Sequence, residues 1–598
     1  MISLLRKNIR LFFAYFMLSL SIVYSAPSEK FKIKSVRFEN NVVFTKRQLR
    51  RVILSRPSTF LNLSYYYAQV FEDDLKNLEL FYHNNGYLEA KITDHQVIKD
   101  TTRNEIHIII KTYEGELTRV EGATIFGNRV FSDEVLLKKI KIRKGEPFKR
   151  KKIEDATLAI LTLYANNGYL DAEVKPDIQI NSRDHLALID FIVKEKTQST
   201  IGQIKLIGLE KTHQSVVHRE LRFGSGEIIT YSHLLESQRQ LYLTGLFKSV
   251  FIRPQSIFSN DSTKRDILIE LKENLSGEFN VSIGYESVEK LRGKVELLNT
   301  NLSGTARKLG LTFKISSINR GLEASFSEPW TFNIPWRTDM NLTMDYQKEP
   351  GYEFNRFGGK LTFGRSFLKR STATITYRQE EVNLKNVRVS VIPEKLKTNI
   401  RSLKFSLIYD TRDNLFNATQ GIYFEYSNEL AGSFLSGTNS FTRTEARLKY
   451  FHRWSYSTII GTALDVGWMA ASGGLKEIPL HERYYAGGPS TLRGFEYQKV
   501  GPLDENNVPI GGKFKFVWNL LEIRSVLYKM IGGVLFLDAG NVWLDPRHFK
   551  LKNLRLAPGV GLRVNTPIGL GRVDLGFNID PEIDEPKAKV YISMGQTF

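Results

Sequence analysis

At 598 residues the chain exceeds what one hydrophobic core organises, so several domains are expected. Its 84 Lys and Arg against 64 Asp and Glu give a net charge of +20, which suits anionic partners such as lipid headgroups, lipopolysaccharide or nucleic acid, and equally a solvated basic surface. The absence of cysteine excludes disulfides, thiolate zinc sites, cysteine nucleophiles and a cysteine-linked lipid anchor.

Residues 1–25 read as a secretory signal. Arg6, Lys7 and Arg10 precede or open the apolar stretch Leu11 to Val23, and Val23 with Ser25 suits cleavage before Ala26. The alternative is an uncleaved anchor, but the apolar run is shorter than the roughly 20 residues of a spanning helix. No later stretch is apolar over about 18 residues, so helical membrane spans are not expected. The 38 Phe, 26 Tyr and 43 Gly, many in short alternating segments, suit β-structure, including a transmembrane barrel whose lipid face uses only every second residue.

An internal repeat organises the first half. Phe81 to Ala90 reads FYHNNGYLEA and Leu163 to Ala172 reads LYANNGYLDA, with a weaker copy, YLTGLFKSVF, over Tyr242 to Phe251. Gly86, Gly168 and Gly245 therefore recur at a spacing of about 80 residues. Each closes a helical pattern at the left-handed C-cap position, and an alternating strand follows. Upstream, Ile33 to Phe38, Leu117 to Val120 and Ile201 to Leu206 are predicted opening strands, followed by turns at Asn40-Asn41, Gly127-Asn128 and Gly208. Each unit reads as a strand, two helices and two strands, over 28–113, 114–196 and 197–275. These α+β units resemble POTRA domains, the periplasmic modules of the outer-membrane protein assembly superfamily.

Residues 276–598 alternate apolar and polar over short runs such as Phe279 to Tyr285 and Tyr423 to Ser427. A spacing of about 20 residues per strand and connection predicts a transmembrane antiparallel β-barrel of 16 strands, with 14 or 18 also fitting. Tyr484 to Pro502, YYAGGPSTLRGFEYQKVGP, is similar to the inward-folded sixth loop of the superfamily, and Arg493-Gly494-Phe495 matches its signature tripeptide. Glu522 in NLLEIR and Asp538 in LFLDAGNVW resemble strands bearing acidic residues on the lumen wall. A guanidinium held partly out of water needs carboxylate partners for its fork of donors, and Glu522 and Asp538 are the expected ones. Asn299 to Gly304 with Glu328-Pro329-Trp330, Tyr409 to Asn414 with Gly421, and Ala557 to Gly569 resemble further barrel segments.

The last strand, Val590 to Phe598, places Val590, Ile592, Met594 and Phe598 on one face and ends on an aromatic. The resemblance implies a seam between this strand and the first, weakened by Gly595, through which client strands enter the bilayer without ATP. Arm length looks most like the TamA branch, which would imply a TamB-like periplasmic partner. A BamA-type general assembly subunit, with assembly lipoproteins as partners, is the alternative, and a two-partner secretion exporter a further one. Unfolded outer-membrane or secreted clients and outer-membrane lipid are the expected partners, with the barrel in the bacterial outer membrane and the arm in the periplasm. No metal, cofactor or catalysis is expected: the ten His are scattered and none sits in a nucleophile motif. Nucleic acid is set aside because no finger, P-loop or helix-turn-helix spacing occurs.

Overall fold

A computed structural model describes residues 31–58, 63–256, 263–368, 370–390, 395–415, 417–528, 530–566 and 569–594. The predicted signal, residues 1–25, lies outside them.

Three modules open the chain. The first contains β1 (Lys32–Glu39), α1 (Lys46–Val52), α2 (Ala68–Asn84), β2 (Lys91–Asp100) and β3 (Glu105–Tyr113). Strand β3 sits centrally, parallel to β1 and antiparallel to β2. Alternation along β3 buries Ile106, Ile108 and Ile110, and α2 lays Phe71, Leu75, Leu78 and Tyr82 on the same core at helical spacing. Gly86 ends α2 with φ 98° and cannot be replaced without strain, because a Cβ there would lie 2.8 Å from the carbonyl oxygen of Phe148 in the next module.

The plan repeats as β4 (Arg119–Phe126), α3 (Asp133–Lys139), α4 (Arg150–Ala165), β5 (Glu173–Asn181) and β6 (Leu186–Lys194). It repeats again as β7 (Thr200–Ile207), α5 (Gln214–His218), α6 (Tyr231–Leu243), β8 (Phe247–Ser256) and β9 (Lys264–Glu273). Strand β4 runs well beyond the predicted Leu117–Val120, because a register shift between Val120 and Gly122 breaks the alternation that marks a strand in sequence.

One carboxylate recurs at the end of each module's last strand and caps the turn after its first. Glu114 accepts from the amides of Val42 and Val43 and from the Tyr82 hydroxyl. Glu195 accepts from the amides of Arg129 and Val130 and from the Tyr164 hydroxyl. Glu273 accepts from the amides of Glu210, Lys211 and Thr212.

Sixteen antiparallel strands, β10 (Gly277–Glu286) to β25 (Ala588–Met594), close into a barrel in chain order. Its polarity is inverted relative to a water-soluble protein. On β10 the alternate residues Phe279, Val281, Ile283 and Tyr285 face outward and exposed, as do Met340, Leu342 and Met344 on β14 (Arg337–Lys348). Polar groups such as Asp345, Glu380, Glu429, Lys515 and Asp574 are buried instead. An apolar band outside and a charged lumen inside are what hydrocarbon surroundings select, and closure satisfies the backbone that lipid cannot.

The chain divides into two compact units. One holds the first two modules with Arg222–Ser237 and Ile252–Leu268, and the other holds the barrel with Leu206–Leu221 and Gln238–Phe251. Within the second unit, short barrel turns meet the α5 region: the His213 amide donates to Gly304 O at 2.9 Å, and Trp330 Nε1 donates to Glu220 at 2.8 Å.

Candidate functional site

The connection between β20 (Thr458–Ala470) and β21 (Phe514–Tyr528) is long and runs through the barrel lumen. Arg493 lies on it, 6% exposed. Its Nε donates to Asp538 Oδ2 at 2.7 Å, Nη2 to Asp538 Oδ1 at 2.8 Å and Nη1 to Glu522 Oε2 at 2.9 Å, while its amide also reaches Asp538 at 3.2 Å. Asp538, on β22 (Ile531–Trp543), is fully buried and takes a further bond from Asn519 Nδ2. The guanidinium stacks 3.5 Å from the centre of the Phe536 ring. A fork-to-fork pair with its lone pairs filled and an aromatic face beneath it is the arrangement in which a buried ion pair holds its geometry. The strands thus bring together the three charged residues that the sequence singles out.

Gly494 has φ 102°, and its backbone packs so closely on Ala557 and Gly576 that a Cβ would lie 3.1 Å from the Ala557 side chain. Phe495 is buried beneath Arg555, whose guanidinium stands 5.0 Å from the ring centre. Its carbonyl accepts from the Tyr591 hydroxyl on β25. Lys589, also on β25, donates to Glu496 at 2.8 Å.

A second anchor, not singled out by the sequence, holds the start of the loop. Buried Glu482 accepts from Arg378 Nη1 at 2.9 Å and from Arg443 Nη2, which also donates to the Glu482 carbonyl at 2.7 Å. Arg378 continues to Glu429 at 2.6 Å, and Ser402 donates to the same carboxylate. These partners stand on β16 (Ser371–Lys385), β17 (Lys397–Asp410), β18 (Gly421–Ala431) and β19 (Phe441–Arg453). Burial works against the Glu482 charge, but Arg378 and Arg443 outweigh it and hold the carboxyl below the ordinary range. Glu482 sits two residues before the motif that starts at Tyr484, and its partners are single charges on separate strands, so only inward alternation could have flagged them. Farther along the loop, Gln498 donates to buried Glu349 at 2.8 Å.

The seam joins the first strand of the barrel to the last. Among the described residues, β10 meets β25 at Tyr285–Met594 and Glu286–Ser593, with the Ser287 hydroxyl bonding the Ile592 backbone. Elsewhere in the wall β15 (Glu353–Phe367) pairs with β16 continuously from Glu353–Lys385 to Phe367–Ser371. Gly595 and Phe598, assigned to the seam from sequence, lie outside the described residues. Val590, Ile592 and Met594 are exposed on the outer, lipid-facing side.

A profile of the Omp85 superfamily domain matches residues 301–598, and one of the surface antigen variable number repeat, POTRA, matches 31–115, 118–196 and 199–274. The chain belongs to the Omp85 superfamily. This Omp85 protein is 23% identical over 589 residues to the outer membrane protein assembly factor BamA of Nitratidesulfovibrio vulgaris, an alignment covering 95% of this chain and 74% of that one. It is 24% identical over 563 residues to BamA of Neisseria meningitidis serogroup B, covering 86% and 68%. The crystal structure of BamA from Haemophilus ducreyi lacking POTRA domains 1-3 superposes with a TM-score of 0.67 at 20% identity over 80% of this chain and all of that one, a likeness of fold. The barrel accordingly belongs to the outer membrane and the three-module arm to the periplasm.

Proposed function

We propose that this Omp85 protein inserts other β-barrel proteins into the outer membrane through the β10–β25 seam, as a general assembly subunit of the BamA type. The observation that carries the reading is the seam itself: the barrel closes in chain order, so the first and last strands meet at a junction that no connecting turn holds, through Tyr285–Met594 and Glu286–Ser593 among the described residues. An incoming strand can add to such an edge by backbone hydrogen bonds, with no nucleotide needed. The loop fixed by Arg493, Gly494, Phe495, Glu522 and Asp538 acts as the lumenal lock that keeps the barrel in shape while the seam works. Arm length pointed to a TamA-like reading with a TamB-like partner. Relatives aligned over most of the chain carry the BamA name, which favours general assembly, with assembly lipoproteins among the partners.

In this reading residues 1–25 are the leader, 28–113, 114–196 and 197–275 receive unfolded clients in the periplasm, and 276–598 form the insertase barrel, with Gly595 and Phe598 completing the seam. The test is reconstitution of the full chain in liposomes with a urea-unfolded barrel client, scoring the heat-resistant compact band on a gel. Faster folding than in empty liposomes is expected, and equal rates would defeat the proposal. Depletion followed by outer-membrane proteomics then separates general assembly, with broad loss of barrels, from a TamA-like role or dedicated export, with loss of a few.

A further inference from the structure

We propose that the barrel lumen holds a phosphate site beneath the loop, where Arg572 and Lys449 bind free phosphate or the phosphate monoester of a lipid headgroup. The site is independent of whether clients enter at the seam.

A cavity of about 400 Å³ lies between the loop, at Pro489 and Ser490, and the periplasmic end of the lumen, at Ser457 and Met530. Those last two residues sit at the β19–β20 and β21–β22 turns, on the same end of the antiparallel barrel as the Gly304 turn. The wall is hollow here because Gly461 and Ala463 on β20 and Gly532 on β22 bring little or no side chain to it, which leaves room for a ligand to approach the backbone.

The charge around the cavity is unbalanced. Five cations line it, Lys449, Arg493, Arg524, Arg563 and Arg572, with two carboxylates, Glu522 and Asp574. Asp538, which pairs with Arg493, makes a third, so two positive charges are left over. Glu522 is shared between Arg493 at 2.9 Å and Arg524 at 2.6 Å, and both oxygens of Asp574 are taken by Arg563, at 2.6 and 3.1 Å. Among the described residues, the side chains of Arg572 and Lys449 make no ion pair or hydrogen bond, and Lys449 has only the Tyr423 ring, 5.9 Å away.

The placement of Arg572 points to a ligand. On β24 (Gly569–Phe577) it stands directly opposite Arg563 on β23 (Arg555–Thr566), and both line the cavity. Like charges directly opposed on antiparallel strands are destabilising, and an anion between the two guanidinium groups turns that repulsion into two attractions. The size of the excess selects the anion. A carboxylate would leave one positive charge over, whereas a phosphate monoester carries about −1.5 to −2 at neutral pH and offers three acceptor oxygens.

Full-length protein in phosphate-free detergent micelles is heated in sodium phosphate or in sodium chloride of equal ionic strength, with unfolding followed by circular dichroism. Phosphate is expected to raise the wild-type midpoint, because a ligand that binds only the folded state stabilises it. In chloride, Arg572→Gln should unfold at the wild-type temperature or above, since a like-charge contact is removed. It should lose the phosphate-dependent rise and bind inorganic phosphate about tenfold more weakly, or worse, in titration calorimetry. An arginine that served the fold alone would instead lower the midpoint equally in both salts when replaced. Lys449→Gln should also weaken phosphate binding while leaving the chloride midpoint unchanged, and it carries the test should Arg572→Gln not fold. Equal wild-type midpoints in the two salts would overturn the proposal, as would a phosphate response that both variants retain. The source of the phosphate is read in phosphatidylcholine nanodiscs with and without phosphatidic acid: a headgroup occupant suppresses the inorganic phosphate titration when phosphatidic acid is present, and a soluble occupant leaves it unchanged.

Discussion

Asp538 has no exposed surface, and every charge that neutralises it arrives on one side chain. Truncating a partner of such a pair leaves an uncompensated buried charge, a loss of about 3–5 kcal/mol, whereas removing both partners costs less. Arg493→Ala is therefore expected to lower the urea midpoint of the barrel and to open the loop to protease, and Arg493→Ala with Asp538→Ala to recover part of the loss. A midpoint equal to wild type for the single variant would mean that the loop is held by other contacts. Arg493→Lys should behave like a partial deletion, because an ammonium cannot span Asp538 and Glu522 together or stack flat on Phe536. Glu482→Gln tests the opposite anchor: Arg378 retains Glu429 and Glu380, so a smaller loss than for Arg493→Ala is expected, with protease cleavage confined to the first half of the loop. Arg493, Glu522 and Asp538 were legible in sequence because each sits in a distinctive run. Glu482 was not, since its meaning depends on Arg378 and Arg443, which only the barrel's closure brings to it.

In the periplasmic arm, each module closes by the same device, a carboxylate that caps a turn far earlier in the chain. The repeat around Asn-Asn-Gly-Tyr was visible as sequence, but Glu114, Glu195 and Glu273 look like ordinary solvated charges until the strands pair. Likewise, β4 was read short because a bulge erased its period of two. Burial opposes the Glu195 charge, but the Tyr164 hydroxyl and the amides of Arg129 and Val130 outweigh it, so the carboxyl sits below its ordinary value. A group lowered on folding stabilises the module at pH above its unfolded value, about 4.3, and that contribution is lost as pH falls through the folded value. Hydrogen exchange on the intact protein should therefore show strands β4 and β6 losing protection in mild acid before the barrel does. Glu195→Gln should reproduce part of that loss at neutral pH, by about 1–2 kcal/mol, and flatten the acid dependence. Protection that stays constant between neutral pH and the acid range would remove Glu195 as the cause.

Across the whole molecule, a stable barrel and a working seam make opposing demands. Continuous pairing along the wall satisfies the first, and closure followed from the alternation because lipid permits only a closed sheet, while the spacing fitted 14 or 18 strands as well as the 16 observed. The second demand was expected from the family resemblance alone, since strand pairing at the seam depends on register and the alternation of β10 and β25 looks like that of any other strand. If clients enter there, fixing the register should stop them. Tyr285 and Met594 are directly opposed, and antiparallel partners lie close enough for a disulfide. Tyr285→Cys with Met594→Cys introduces the only two thiols in a chain that otherwise has none, so oxidation can form one bond within the molecule. Oxidised protein in liposomes should lose client insertion and regain it on reduction, while either single variant inserts at the wild-type rate. The barrel's own fold should be unaffected, because the bond adds a constraint at a contact that is already made. Insertion at full rate with the disulfide demonstrably closed would place client entry elsewhere than the seam.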